Sequence, residues 1–304
     1  MPKQIGNNVL ILGGGRWGQV TYNNLYKVKS ISHLELVSKS FNLKENILLN
    51  KNILINKYLN LEKYKKYNLI IICKNNLTKN YFLRKLKDFK RNIVVEKPLI
   101  IKKNINSFLK IFKKKKYFLS LPWYFDNILK KIYSKILKNN KINRIQFKWF
   151  DRNKSKYGLF KKFDNNINYS EDVFSHIFSI LNYNKSDLSS LKFIDFKILE
   201  NIEKLRFSYN NLEIELICSN KFNNSNRNIV FFNDNRKIIK ISILHNYYKV
   251  KDYKKKLNQR YKRNLNQLMI QYRYILKNKK EDSFKRICDF LILYQYELNK
   301  FLKN

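Results

Sequence analysis

Three short stretches of this sequence carry residues whose types and spacing can do chemistry. The first is Asn8 to Gln19, NVLILGGGRWGQ, an apolar run of strand length that breaks into glycine and contains Gly13-x-Gly15-x-x-Gly18. That spacing lets a strand turn tightly into a helix while the backbone approaches a pyrophosphate, whose charge the open N–H groups of the helix's first turn take up. Gly13, Gly15 and Gly18, with Arg16 and Trp17 between them, are the candidate phosphate contacts; four of the chain's six glycines lie in this turn. The second stretch is Glu96-Lys97-Pro98, at the end of an apolar run. A lysine there can polarise a carbonyl or imine and bind the alkoxide that develops during hydride transfer, and Glu96 joins it as a cofactor contact. In the third stretch, Tyr169 to Leu181, Asp172 and His176 stand four residues apart. On a helix they share a face, either as a proton-transfer pair or as a plain surface pair worth a few tenths of a kcal/mol.

These residues need elements to position them. Trp17 to Lys27 suits a helix and Leu34 to Val37 a second strand, which together with the first run make a βαβ unit around the glycine turn. At the tip of such a second strand an NAD site places an Asp or Glu on the ribose 2′-OH. Here the tip reads Val37-Ser38-Lys39, and Glu35 lies inside the strand. A hydroxyl followed by a cation suits a 2′-phosphate, so Ser38 and Lys39 are the expected contacts and NADP(H) is expected in preference to NAD(H). Further short apolar runs at Ile53 to Ile55, Asn68 to Cys73, Asn92 to Glu96 and Tyr117 to Leu121 alternate with helical patterns through Tyr81 to Phe89 and Ile105 to Phe112. That order predicts a doubly wound parallel sheet over residues 1–121, with its ligand at the carboxyl ends of the strands, where Lys97 falls. The charge run Lys113 to Lys116 reads as a solvated helix end.

Residues 122–304 have a different texture. After a helix carrying Ile128, Leu129, Ile132 and Ile136, Arg144 to Phe150 alternates with Ile145, Phe147 and Trp149 on one side. Similar runs at Leu191 to Leu199, Leu205 to Tyr209, Leu212 to Cys218, Asn228 to Phe232 and Lys237 to Leu244 follow without intervening helices. They predict an α+β domain on a large, mostly antiparallel open sheet, closed by a helix over Phe284 to Leu302. His33 and His245 lack chemical company and read as structural.

Composition bounds the partners. At 304 residues and 44% apolar the chain is globular, yet its formal charge is +42. Lys, Asn, Ile, Tyr and Phe dominate while Ala is absent, which AT pressure on codons produces, and the basic residues run along the whole length. Nucleic acid is therefore not expected as a partner despite the charge. Cys73, Cys218 and Cys288 are far apart, so neither a metal site nor a disulfide framework is indicated, and a reducing cytoplasm fits. No apolar run reaches the roughly 18 residues of a membrane span.

The glycine turn, the strand ending in Glu96-Lys97-Pro98 and the Asp172/His176 spacing, in that order, resemble the glucose-fructose oxidoreductase, inositol dehydrogenase and rhizopine-catabolism family, written Gfo/Idh/MocA. The resemblance implies an NAD(P)-dependent oxidoreductase acting on a small molecule, in which Lys97 reaches both nicotinamide and substrate, His176 exchanges a proton with the substrate and Asp172 orients it. It also implies pairing of subunits through the second domain's sheet. Two departures stand out. Asn168-Tyr169-Ser170-Glu171 replaces the glycines that commonly precede the aspartate, and Lys74 to Lys79 replaces a proline and histidine usual after the fourth strand. Within the enzyme reading, a sugar or polyol dehydrogenase competes with an imine reductase. The alternative of another class is a non-catalytic dinucleotide-binding protein on the same fold that uses its basic surface for RNA or an acidic partner. Its support is Lys249 to Arg263, KVKDYKKKLNQRYKR, where cations interleave with Tyr253 and Tyr261.

Overall fold

A computed structural model describes residues 6–37, 53–56, 61–74, 76–99, 110, 112, 117–153, 167–182, 191–263, 266–277 and 283–303. In chain order the elements are β1 (Asn7–Leu12), α1 (Arg16–Leu25), β2 (Ile31–Val37), β3 (Ile53–Asn56), β4 (Leu69–Ile72), α2 (Asn76–Lys85), β5 (Asn92–Glu96) and β6 (Tyr117–Ser120). There follow α3 (Asn127–Asn139), β7 (Arg144–Arg152), α4 (Tyr169–Leu181), β8 (Lys192–Leu199), β9 (Ile202–Tyr209), β10 (Leu212–Phe222) and β11 (Asn226–Asn233). The chain ends in β12 (Arg236–Ile243), β13 (Tyr247–Asp252), β14 (Leu257–Lys262), α5 (Gln267–Leu276) and α6 (Ser283–Phe301). Except for Lys110 and Phe112, the helix expected through Ile105 to Phe112 and the run Lys113 to Lys116 lie outside the described residues.

The chain divides into two compact units, one of Met1–Phe125 with Asn266–Leu293, the other of Asp126–Leu265 with Tyr294–Asn304. The first holds a six-stranded sheet in the order β3-β2-β1-β4-β5-β6. Every pair in it is parallel. Its central strands are buried on both faces, Val9 to Leu12, Leu69 to Ile72 and Ile93 to Val95 being almost wholly inaccessible, which is why they read as unbroken apolar runs. The order reverses between β1 and β4, and a doubly wound sheet binds its ligand at that switch point.

A boundary after residue 121 is the sequence expectation; the first unit also takes in Asn266–Leu293. Hydrogen bonds hold that segment. Asn92 Nδ2 donates to the Ile275 carbonyl at 2.9 Å, Gln271 Nε2 donates to the Leu119 carbonyl at 3.2 Å, and the Leu119 N–H donates to Cys288 Sγ at 3.3 Å. Phe284 stacks on Phe118 with ring centroids 5.9 Å apart.

The second unit holds an eight-stranded sheet in the order β14-β13-β12-β11-β7-β10-β9-β8. Only β7 and β10 pair in parallel; the other pairs are antiparallel. Ile145, Phe147 and Trp149 on β7, Ile214, Leu216 and Cys218 on β10, and Leu205, Phe207 and Tyr209 on β9 are buried, while the residues between them are at least partly exposed. One face is thus core. Phe174 of α4 meets Phe207, and Tyr133 of α3 meets Phe231, so both helices lie on that face. The two β-strands after β12 are absent from the sequence expectation, as is α5. Among the described residues, no helix is long and apolar enough to cross a membrane.

Candidate active site

The glycine turn connects β1 to α1, and each glycine has its own steric reason. Gly13 adopts φ 121°, a conformation that favours glycine, and a Cβ there would overlap the Cys73 carbonyl oxygen at the end of β4 and sit 2.9 Å from its carbon. A Cβ at Gly18 would overlap the Gly13 carbonyl oxygen and lie 2.8 Å from that carbonyl carbon, so α1 packs directly on the turn. Gly15 differs, because among the described residues no atom beyond its chain neighbours lies within 4 Å of the position its Cβ would take. It is the N-cap of α1, with φ −67° and ψ −177°, no side chain caps the helix, and its first turn holds no acidic residue. Gly15, Arg16 and Trp17 are exposed while Gly13 and Gly18 are buried. Exposed N–H groups at an uncapped helix start, beside a backbone stripped of side-chain bulk, fit a pyrophosphate.

Glu96 and Lys97 close β5 at the same carboxyl edge, and both are buried. The Lys97–Pro98 peptide is cis. Lys79 of α2, only 3% exposed, donates Nζ to the Pro98 carbonyl at 2.9 Å and so anchors the segment after Lys97. This gives one residue of the divergent Lys74 to Lys79 stretch a structural task. Beneath the turn runs a largely buried polar chain, in which Thr21 Oγ1 lies 3.7 Å from the half-buried Cys73 Sγ and 3.4 Å from the Tyr272 hydroxyl. Burial and the nearby Glu96 carboxylate push the Cys73 thiol up to about 12.

Within β2, Glu35 is engaged inside the unit. Tyr67 donates its hydroxyl to it, Lys66 Nζ lies 3.5 Å away and His33 Nε2 3.6 Å away, His33 also stacking on Tyr67. His33 thus serves structure, and Glu35 is spoken for. Ser38 and Lys39, the expected 2′-phosphate contacts, lie outside the described residues.

In the second unit α4 is buried almost all round. Of its thirteen residues, only Asp172 and His176 are not fully buried. The helix therefore presents a single polar opening, and an acid and an imidazole occupy it on successive turns. The His176 ring stacks on Trp149, with centroids 5.4 Å apart and planes inclined by 21°. Glu203 of β9 accepts hydrogen bonds from the Tyr169 N–H at 2.9 Å and the Ser170 N–H at 2.7 Å, placing a carboxylate on the positive end of α4. Asn168 and Glu171 add a capping box, and the Glu171 carboxylate also accepts from Asn299 Nδ2 at 2.8 Å. Burial raises the Glu171 carboxyl above its ordinary value.

The sheet register builds the rest of this neighbourhood. Glu203, Cys218, Trp149 and Arg227 are successive partners across β9, β10, β7 and β11. The Arg227 guanidinium lies 4.6 Å from the Trp149 ring centroid and donates Nε to Asp151 at 2.9 Å. Burial first and the Asp151 carboxylate second push the Tyr169 hydroxyl up, with Asp172 adding to the effect. Motif spacing does not reveal Asp151, Glu203 or Arg227, but strand parity does contain a signal. Asp151 extends the inward positions 145, 147 and 149; Glu203 precedes the inward 205, 207 and 209; Arg227 precedes the inward 229 and 231. Charged residues at inward parity near strand ends mark where the core opens. Among the described residues, no group of three or more His, Cys, Asp or Glu side chains could hold a metal ion.

No family model and no curated protein matches this sequence. Solved structures do match it by shape. The chain is similar to a Gfo/Idh/MocA family oxidoreductase from Vibrio cholerae, at 10% identity over 98% of this chain and 100% of that one, with a TM-score of 0.64. It is similar to the UDP-N-acetylglucosamine 3-dehydrogenase GnnA from Acidithiobacillus ferrooxidans, at 9% identity over 96% of each chain, with a TM-score of 0.69. It is also similar to the 3-ketoreductase KijD10 from Actinomadura kijaniata, in complex with TDP-benzene and NADP, at 7% identity over 96% of this chain and 97% of that one, with a TM-score of 0.73. The parallel six-stranded sheet and the mostly antiparallel eight-stranded sheet together give this chain the fold of the Gfo/Idh/MocA oxidoreductases.

Proposed function

We propose that the chain is an NADP(H)-dependent oxidoreductase that moves a hydride between C4 of the nicotinamide and a carbonyl, carbinol or imine carbon of a small molecule. The observation that carries this reading is the turn at the β1/β4 switch point, tightly packed at Gly13 and Gly18 and open at Gly15 over an uncapped helix. The KijD10 complex holds NADP, and both KijD10 and GnnA are named for reactions that interconvert a carbinol and a ketone, which supports the cofactor and reaction class. The nicotinamide supplies the hydride chemistry. The chain's own residues do the rest. Gly13, Gly15 and Gly18, flanked by Arg16 and Trp17, seat the pyrophosphate; Ser38 and Lys39, following Val37, hold the 2′-phosphate that a carboxylate would repel. Glu96 and Lys97 stand at the end of β5, where the ammonium stabilises negative charge developing on the substrate oxygen or nitrogen. His176 exchanges the proton, and Asp172, one turn before it, orients the imidazole.

The test uses NADPH carrying deuterium at C4 with a panel of sugar ketones, other carbonyls and imines, and follows the label into product by mass spectrometry. Label is expected in one substrate class. Its absence from all of them overturns the reaction class. Lys97→Ala should slow transfer by about a hundredfold or more, the usual cost of removing a group that stabilises developing charge, and leave NADPH affinity nearly intact. Equal loss of both would make Lys97 a binding residue only.

A further inference from the structure

The basic stretch Lys249 to Arg263 has no part in the chemistry above, and the fold converts it into a surface. It forms β13 and β14, and register decides which of its residues share a face. Lys148, Asn228, Ser242, Lys249 and Arg260 are successive partners across β7, β11, β12, β13 and β14. They lie on the face opposite the Trp149 and Tyr248 side chains, because side chains alternate along each strand. A second row on this face runs through Gln146, Val230, Lys240, Lys251 and Asn258, and Tyr247 pairs with Lys262 beside the first. Lys249, Lys251, Arg260 and Lys262 are exposed, and Lys148 and Lys240 partly so. Four strand steps make the patch roughly 19 Å wide.

The cations are concentrated. Among the described residues, none of these six forms an ion pair with a carboxylate. Desolvation first, and then Lys148, Lys237, Lys251 and Lys249, lower the proton affinity of Lys240, as crowded like charges do. Aromatic rings lie among them. The Arg260 guanidinium is 5.3 Å from the Tyr247 ring centroid, and Lys251 Nζ is 4.8 Å from that of Tyr253.

We propose that this face binds a single-stranded nucleic acid, with phosphates on Lys148, Lys240, Lys249, Lys251, Arg260 and Lys262 and bases on Tyr247 and Tyr253. A flat sheet combining a cationic track with rings is what sequence-tolerant strand binding requires. A second copy of the chain, the occupant expected from the family resemblance, fits the charges less well. Beyond β7, the same face sets Glu213, Glu215 and Asp195 among Arg144, Lys204, Arg206 and Lys197, and so offers no acidic counter-patch among the described residues. The proposal stands apart from the oxidoreductase reading.

Fluorescence anisotropy with a labelled oligouridylate of about twelve nucleotides, titrated across salt concentrations, tests it. The quadruple variant Lys240→Gln, Lys249→Gln, Lys251→Gln, Arg260→Gln should flatten the slope of log K against log salt by about 3, near 0.7 per lost contact. A variant with the same charge change on and just after α3, Lys131→Gln, Lys135→Gln, Lys138→Gln, Lys141→Gln, should leave the slope unchanged. Tyr247→Ala with Tyr253→Ala should weaken binding at least fivefold without altering the slope. Circular dichroism confirms that each variant is folded. Equal loss in both quadruple variants would overturn the proposal, since net charge would then suffice. Binding of inorganic polyphosphate as tight as RNA and indifferent to the tyrosines would overturn it too. So would a dimer that the β12–β14 variant dissociates in sedimentation, without RNA binding by the wild type.

Discussion

Gly15→Ala should separate nucleotide binding from folding. The backbone of Gly15 is extended, at φ −67° and ψ −177°, so an L-residue fits without strain, and among the described residues no heavy atom beyond the chain neighbours lies within 4 Å of the added methyl. Alanine is a poorer N-cap than glycine by about 1 kcal/mol at most, which lowers the melting temperature by a few degrees. The methyl instead enters the space over the start of α1, which the account assigns to the pyrophosphate. Overpacking there costs about 1–3 kcal/mol, and the midpoint corresponds to a Kd for NADPH weakened by more than tenfold. Gly18→Ala is the contrast, because its Cβ meets the Gly13 backbone and the whole turn must shift; it should lose about 3 kcal/mol of stability along with binding. Thermal unfolding and NADPH titration by nicotinamide fluorescence read both quantities. A Gly15→Ala protein that binds NADPH within twofold of wild type would refute the placement of the pyrophosphate.

Two further outcomes rest on particular contacts. The Cys73 thiol, pushed from 9.0 to about 12, should alkylate at neutral pH on the order of a thousandfold more slowly than an ordinary cysteine, since only the thiolate reacts. The unfolded chain loses this proton near 9 while the native chain keeps it to about 12, so stability should fall as pH rises through that window, and Cys73→Ala should reduce the slope. Glu203→Ala removes the acceptor for the Tyr169 and Ser170 N–H groups and should destabilise by about 2 kcal/mol in urea unfolding, with Glu203→Gln costing half or less. A loss below about 0.5 kcal/mol for the alanine variant would show that solvent replaces this carboxylate.

Most elements were legible because their apolar periodicity matches their burial. β4 and β5, buried throughout, and β1, buried from Val9 on, read as apolar runs, and β7, β9 and β10 as alternating ones. β14 was not legible, because it is an edge strand with five of its six residues exposed and has no apolar face to announce itself. In β13 the inward Tyr248 and Val250 are interleaved with lysines, which reads as a charge run. α5 was hidden for the opposite reason, since Gln267 and Gln271 occupy inward positions and break the apolar stripe. The three motifs could be found one at a time from spacing, because strand-to-turn-to-helix geometry and one helical turn are local. The Asp151–Arg227 pair and the Glu203 cap join residues 76 and 34 positions apart, and only register brings them together.

The most direct test is calorimetric titration of NADPH and NADH, separately, into the wild-type protein. One site per chain is expected for NADPH, abolished by Gly13→Val, with at least tenfold weaker binding of NADH, which lacks the phosphate that Ser38 and Lys39 would hold. Binding of neither dinucleotide would contradict the account outright, and tighter binding of NADH would contradict the assignment of Ser38 and Lys39.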